Sequence, residues 1–245
     1  RKNILKLSDK KFLDLCFDYY LGKKINWDNP QTYNEKLQWL KIYDRQDRYT
    51  KMVDKYEAKN YVKNIIGQEY IIPTIGIYDK FEDINFDKLP QQFVMKCTHD
   101  SGGLVICKDK NKLNLKETKK KIDKCLKVNY FNCWKEWPYR NVKPRIIIEK
   151  YMSNSDSEGI NDYKFFCFNG KVKLLFIATD RVREDEETKF DFYDENFNHL
   201  PIKNGHPNAI IPPSKPINFE KMKKLAEILS TDIPHLRVDF YEING

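Results

Sequence analysis

The chain has 245 residues, 33% of them charged and 40% hydrophobic, a balance that excludes a disordered protein and is enough to build a substantial core with more than one subdomain. No apolar run reaches the roughly 20 residues of a membrane span, and residues 1–8 lack the apolar stretch of a signal peptide, so a cytoplasmic location is expected. The net charge of +8 suits a polyanionic partner without naming one, and the six cysteines, with no CxxC pair, fit reduced packing thiols better than a disulfide or zinc framework.

The first sixty-odd residues read as helical. Phe12, Leu13, Cys16, Phe17 and Tyr20 recur at helical intervals, with Ser8 as the expected cap and Gly22 as the stop. A second helix opens at Thr32, whose spacing to Glu35 is that of a capping box, and carries Leu37, Leu40 and Tyr43 on one face. A third is expected over residues 50–66, ahead of Gly67. The pattern then changes to short apolar runs at 71–72, 75–78, 93–97 and 104–107, which read as strands. Next comes a helix in which Lys116, Lys119, Lys120, Lys121, Lys124 and Lys127 accompany Leu115, Ile122, Cys125 and Leu126, with Asn114 as its cap. Its basic side is a solvated face or a contact for nucleic acid, acidic lipid or acidic glycan. Strands are expected at 145–151, 163–168 and 172–179, the last two joined by the hairpin dipeptide Asn169-Gly170. A short strand at 190–193, an exposed Pro-rich loop at 201–216, a helix at 219–229 and a strand at 236–241 complete the chain.

Three segments carry candidate chemistry. Lys96 lies inside the apolar run 93–97, where an unpaired ammonium is costly and a phosphate is one suitable partner. Ser101, Gly102 and Gly103 follow at a turn, where glycine lets backbone N–H groups face phosphate oxygens. Both GxxxxGK[ST] and GxGxxG are absent, so such a phosphate site is of another type; the competing reading is a plain hairpin with Lys96 reaching solvent. The second segment is an apolar strand closing on Glu149, Lys150, Tyr151 and Met152, then a polar loop to Gly159 and Asp162-Tyr163-Lys164. In the third, alternation puts Arg237 and Asp239 on one strand face opposite Leu236, Val238 and Phe240, as a salt bridge or as a site for a hard cation. His99, His199, His206 and His235 lack zinc spacing, and Trp27, Trp39, Trp134 and Trp137 read as anchors of the core or its rim.

Taken in order, these segments resemble the ATP-grasp superfamily, and most of all its teichuronopeptide-biosynthesis (TupA-like) branch of bacterial surface-polysaccharide enzymes, over residues 54–245. The resemblance implies an α+β fold in which two lobes with mainly antiparallel sheets clasp ATP. It divides the chain into a helical segment at 1–66, a small nucleotide-covering lobe at 67–150 and a larger lobe with the metal site at 151–245. On this reading Lys55 and Lys96 are the two phosphate-binding lysines, and Ser101, Gly102 and Gly103 form the flexible loop over the phosphates. Glu149, Lys150 and Met152 are similar to the hinge that reads adenine, and Asp162 to the ribose-binding acid. Asp239 matches the magnesium ligand, Arg237 steadies the reacting phosphate or acyl group, and Lys164 or Arg181 serves the γ-phosphate. The family's second metal carboxylate follows a turn like that begun by Asn244-Gly245, and Glu242 lies too early to replace it, so the carboxylate is expected beyond Gly245, the alternative being a member that lacks it and is catalytically crippled.

The activity so implied is an ATP- and Mg²⁺-dependent carboxylate–amine ligation through an acyl phosphate. The expected acceptor is a uronic-acid carboxyl of a surface glycan or its precursor, and the amine an amino acid or peptide, with peripheral association to membrane glycan machinery. Two other classes stay open: a glycan-modifying phosphotransferase or glycosyltransferase, and a non-catalytic nucleic-acid-binding protein using its basic excess. For the latter, the zinc-finger, helix-turn-helix and RNP signatures are missing, and no nucleic acid is expected as a partner.

Overall fold

The computed structural model describes residues 7–154, 160–179 and 187–245. The chain divides into two compact units, Arg1–Tyr61 with Ile71–Tyr151, and Val62–Tyr70 with Met152–Gly245. Four helices come first: α1 (Asp9–Leu21), α2 (Tyr33–Tyr43), α3 (Asp47–Val53) and α4 (Glu57–Ile66). The caps are those expected. Ser8 accepts from the Lys11 N–H, Gly22 takes φ 61° after α1, and Thr32 and Glu35 exchange backbone and side-chain hydrogen bonds. Phe12, Leu13, Phe17 and Ile25 form the core under α1, and Leu7, Cys16, Trp27 and Ile42 pack on it.

The single helix expected over 50–66 is instead two, α3 and α4, because Asp54 leaves the helical region at φ −70°, ψ 114°. Its carboxylate accepts from the N–H groups of Tyr56 and Glu57 and so caps α4, while the same carboxylate binds Arg145.

The first unit continues with β1 (Thr74–Tyr78), β2 (Phe93–Cys97), β3 (Leu104–Cys107), α5 (Leu115–Leu126), α6 (Phe131–Trp134) and β4 (Ile146–Lys150). Ile71 and Ile72 lie outside the strand, which starts after Pro73. The four strands form an antiparallel sheet in the order β1-β4-β2-β3. Strand alternation then sorts the side chains. Phe93, Met95, Cys97, Ile146 and Ile148 join one buried core with Ile122 of α5. The register Val94↔Glu149 and Lys96↔Ile147 puts Lys96 and Glu149 together on the opposite face.

The second unit holds β5 (Asp162–Phe168), β6 (Lys171–Thr179), β7 (Lys189–Asp194), β8 (His199–Leu200), α7 (Phe219–Leu229) and β9 (Leu236–Tyr241). Its sheet is antiparallel, in the order β8-β7-β6-β5-β9. Asn169 and Gly170 join β5 to β6 at φ 47° and 76°, and positive φ at both residues is what a tight hairpin turn requires. The buried face of α7, Phe219, Met222, Ala226 and Leu229, covers the Phe165 and Cys167 side of the sheet. On the other side Phe176, Ala178 and Phe192 form an aromatic-rich cluster with Phe166 and Phe190. The loop at 201–216 contains no helix or strand and is tied down by the Asn208 amide to the Phe190 carbonyl and by the Tyr193 hydroxyl to the Pro213 carbonyl.

Candidate functional site

In the first unit the break between α3 and α4 decides where Lys55 goes. Its N–H donates to the Thr98 carbonyl at 3.0 Å, fastening this stretch alongside the turn that follows β2. The ammonium then donates to the Cys97 carbonyl at 2.7 Å and to the Asp100 carbonyl, and stands 3.9 Å from the Asp100 carboxylate. Burial pulls the Lys55 pKa down, opposed by the Asp100 charge.

The turn itself has a fixed base and an exposed tip. The Thr98 hydroxyl donates to the Lys143 carbonyl and accepts from the Arg145 N–H. His99 is buried, with Nε2 within 3.2 Å of the carbonyls of Cys125 and Val128 at the end of α5, and so fills a structural role. Asp100 accepts from the Gly103 N–H through both carboxylate oxygens, at 3.1 and 3.0 Å. Gly103 has no room for a side chain, since a Cβ there would stand 2.6 Å from Cys97 Sγ, whereas a Cβ on Gly102 would meet nothing within 4 Å. Ser101 and Gly102 form the exposed tip, the Ser101 hydroxyl lying 3.0 Å from that of Tyr130.

Lys96, for which the sequence offered phosphate or solvent as partner, has a partner within the protein. Glu149 is 4% exposed, with Lys59 2.5 Å from one carboxylate oxygen and Lys96 2.7 Å from the other. Burial pushes the Glu149 pKa up, but Lys96 and Lys59 outweigh it and hold the group below the usual carboxylate range. Two cations on one anion leave an excess positive charge on this face of the sheet. Lys150, next in the strand, is exposed.

The second unit gathers Asp162, Lys164, Arg237 and Asp239 on one sheet face, because β5 pairs with β9 in the register Lys164↔Asp239. The Lys164 ammonium sits 2.5 Å from Asp162 and 2.8 Å from Asp239. The Arg237 guanidinium grips both Asp239 oxygens, at 2.8 and 2.9 Å. Burial raises the Asp239 pKa, and the opposing pull of Arg237 and Lys164 is stronger, so the net shift is downward. The Phe176 ring lies 6.0 Å from the Lys164 ammonium, joining this polar group to the aromatic cluster. Glu242 is committed elsewhere, accepting from the backbone and side-chain amides of Asn218 ahead of α7. Met152 is half-buried in the coil that opens this unit, and Arg181 lies outside the described residues.

Among the described residues no group of three or more His, Cys, Asp or Glu side chains is arranged to hold a metal. A cation here would need oxygens from a substrate as well as from Asp239, and Mg²⁺ commonly binds through one or two carboxylates with phosphate and water completing its shell.

Three participants were not singled out from sequence. Lys59 and Arg145 act through partners far along the chain and leave no local trace. Asp100 does leave one, since an Asp three residues before a glycine N–H is a common turn-forming arrangement.

The family described as TupA-like ATPgrasp matches residues 35–245. No curated protein matches the chain. Solved structures similar to it include the ATP-grasp ligase PsnB complexed with minimal precursor, Mg and ADP, at TM-score 0.42 and 9% identity over 86% of this chain and 53% of that one. The D-alanine–D-alanine ligase from Bacillus anthracis complexed with ATP is similar at TM-score 0.40 and 17% identity, over 78% and 51% of the two chains. The D-cycloserine synthetase DcsG is similar at TM-score 0.40 and 14% identity, over 78% and 57%. The chain thus spans little more than half the length of these structures.

Proposed function

Since the chain belongs to the TupA-like ATP-grasp family, we propose that it serves as an ATP-dependent carboxylate–amine ligase. The observation that carries this reading is local: Lys55 reaches the carbonyl directly after Lys96, beside a turn with an exposed Ser101-Gly102 tip. Two ammonium groups and a glycine-bearing turn at one strand end are what a polyphosphate needs, charge neutralisation together with close backbone approach.

The substrate carboxylate oxygen attacks the γ-phosphorus of ATP, the bond from that phosphorus to the bridging oxygen breaks, and ADP leaves. An amine then attacks the acyl carbon, inorganic phosphate departs with the electron pair, and the amine loses a proton to give the amide. Protein residues supply position and charge, without a covalent nucleophile. Lys55 and Lys96 offset phosphate charge, Ser101 to Gly103 cover it, and Arg237 with Lys164 or Arg181 faces the transferred group. Glu149, Lys150 and Met152 present the adenine edge, and Asp162 the ribose. Asp239 is the carboxylate that would hold Mg²⁺, and the bound ion would lower the negative charge on the phosphate oxygens.

For the acceptor we propose a uronic-acid carboxyl of a bacterial surface glycan or its precursor, and for the amine an amino acid or peptide. The family branch and the +8 net charge support an acidic glycan. The test is a panel of uronic acids and amines with the full-length protein, ATP and Mg²⁺. Release of ADP and phosphate that requires both acid and amine, with an amide detected by mass spectrometry, is the expected result. Stable transfer of the γ-phosphoryl group to the glycan, or turnover of a sugar nucleotide without ATP, would replace the ligase with one of the other glycan-modifying classes. Arg237→Met is expected to lower kcat by roughly 10²–10³-fold, the usual cost of removing one preorganised charge-stabilising donor.

A further inference from the structure

Helix α5 has two sides with different obligations. Thr118 and Ile122 are buried, and Cys125 and Leu126 pack on the same core. On the opposite side Lys116, Lys120, Lys124 and Lys127 recur at four-, four- and three-residue steps, which confines them to an arc of about 80° and a line of about 16 Å. All four are exposed, and among the described residues none of their ammonium groups makes an ion pair or hydrogen bond. Neighbouring lysines are engaged, by contrast. Lys119 pairs with Glu82 and Asp123, Lys121 donates to the Leu104 carbonyl, and Lys110 donates to the carbonyls of Phe86, Asp87 and Leu89.

We propose that this outer face of α5 docks the protein on an anionic lipid bilayer. Residues 108–127 contain nine lysines and three acids. Asp123 is taken by Lys119 and Asp109 lies 3.9 Å from Lys112, leaving Glu117 at the margin of the stripe. The same segment has no arginine and no aromatic residue. It therefore lacks both the guanidinium forks that read bases or clamp single phosphates and the rings on which bases or sugars stack. A row of flexible, hydrated point charges on a convex helix matches a plane of anionic headgroups, which asks for charge and no fixed geometry. Each lysine so placed contributes roughly fivefold to partitioning, so the four together give several hundredfold, weakened by salt.

The experiment is co-sedimentation of the full-length protein with phosphatidylcholine vesicles with and without phosphatidylglycerol, at low and at raised salt. Binding is expected only with phosphatidylglycerol and only at the lower salt. The variant Lys116→Glu/Lys120→Glu/Lys124→Glu/Lys127→Glu is expected to lose it by ~100-fold or more, with the thermal transition shifted by no more than a few degrees, because none of the four ammonium groups pairs with a described residue and only the last turn of α5 loses cations. A control reversing four exposed lysines elsewhere, Lys23, Lys24, Lys88 and Lys203, has the same net charge and is expected to keep most of the binding. If the glutamate variant unfolds, the same four changes to Gln take its place. The proposal is overturned by failure to bind phosphatidylglycerol vesicles at low salt, by equal loss in the control, or by tighter binding to a DNA duplex than to vesicles of matched charge.

Discussion

Glu149 shows how much a single side chain organises here. An almost fully buried carboxylate is tolerated because Lys59 and Lys96 each take one oxygen. Its folded pKa lies below the ordinary 4.5, so the ionised form stabilises the fold at any pH above that value, and the contribution disappears as pH falls through the folded pKa. Glu149→Gln is expected to cost about 2–3 kcal/mol at neutral pH, with the gap to wild type narrowing below pH ~4 in denaturant titrations. Lys96→Met is expected to lose stability too, by about 1–3 kcal/mol, since Lys59 alone then faces the carboxylate. In the double variant Lys96→Met/Glu149→Gln part of that loss returns, while protection by nucleotide does not. Recovery of nucleotide protection along with stability would mean that Lys96 serves the fold alone. That Lys96 needed a partner was legible from its apolar strand. The identity of the partner was not, because the diagonal to Glu149 exists only once β2 and β4 are in register.

At the scale of elements, signals that act within one turn of chain were readable and those that act across the fold were not. Thr32 and Glu35 satisfy orphan N–H groups at the start of α2 by themselves, and Thr32→Ala is expected to cost about 1 kcal/mol by denaturant melting. The break at Asp54 has no Gly or Pro to announce it. It depends on Arg145 holding the Asp54 carboxylate and on Thr98 accepting from the Lys55 N–H, both set by tertiary structure. The turn after β2 likewise hides two unlike glycines behind one dipeptide. Gly103→Ala forces a Cβ against Cys97 and is expected to cost about 1–3 kcal/mol, whereas Gly102→Ala, with open space around it, should stay within about 0.5 kcal/mol. If Gly102 covers phosphate as proposed, its alanine variant still binds ATP more weakly at unchanged stability, because the added methyl blocks close backbone approach. Equal stability loss in the two variants would show that the turn is packed differently.

For the whole molecule, short apolar runs bounded by turn residues gave nearly all the strands of two antiparallel sheets, but not the insertion of β4 between β1 and β2, since strand order depends on which edges meet and not on any local residue pattern. The same limit applies to function. Lys96 belongs to the first compact unit and Asp239 to the second, so the proposal assigns nucleotide-facing residues to both. Ligand linkage tests that assignment without knowledge of the acceptor. At a hundredfold excess over Kd, Mg-ATP should stabilise the folded protein by about 2.7 kcal/mol, which for a chain of this size raises Tm by roughly 5–10 °C. Two compact units can unfold in separate steps, so the shift is to be read for each transition by calorimetry. Lys96→Met/Glu149→Gln should abolish the shift, and Asp239→Asn should remove the part that depends on Mg²⁺ while leaving a smaller response to ATP with EDTA. The asparagine keeps the shape of the Asp239 side chain but cannot supply an anionic oxygen, so the difference isolates the cation. An Mg-ATP shift of equal size in all three proteins would take both the lysine and the aspartate out of the nucleotide site.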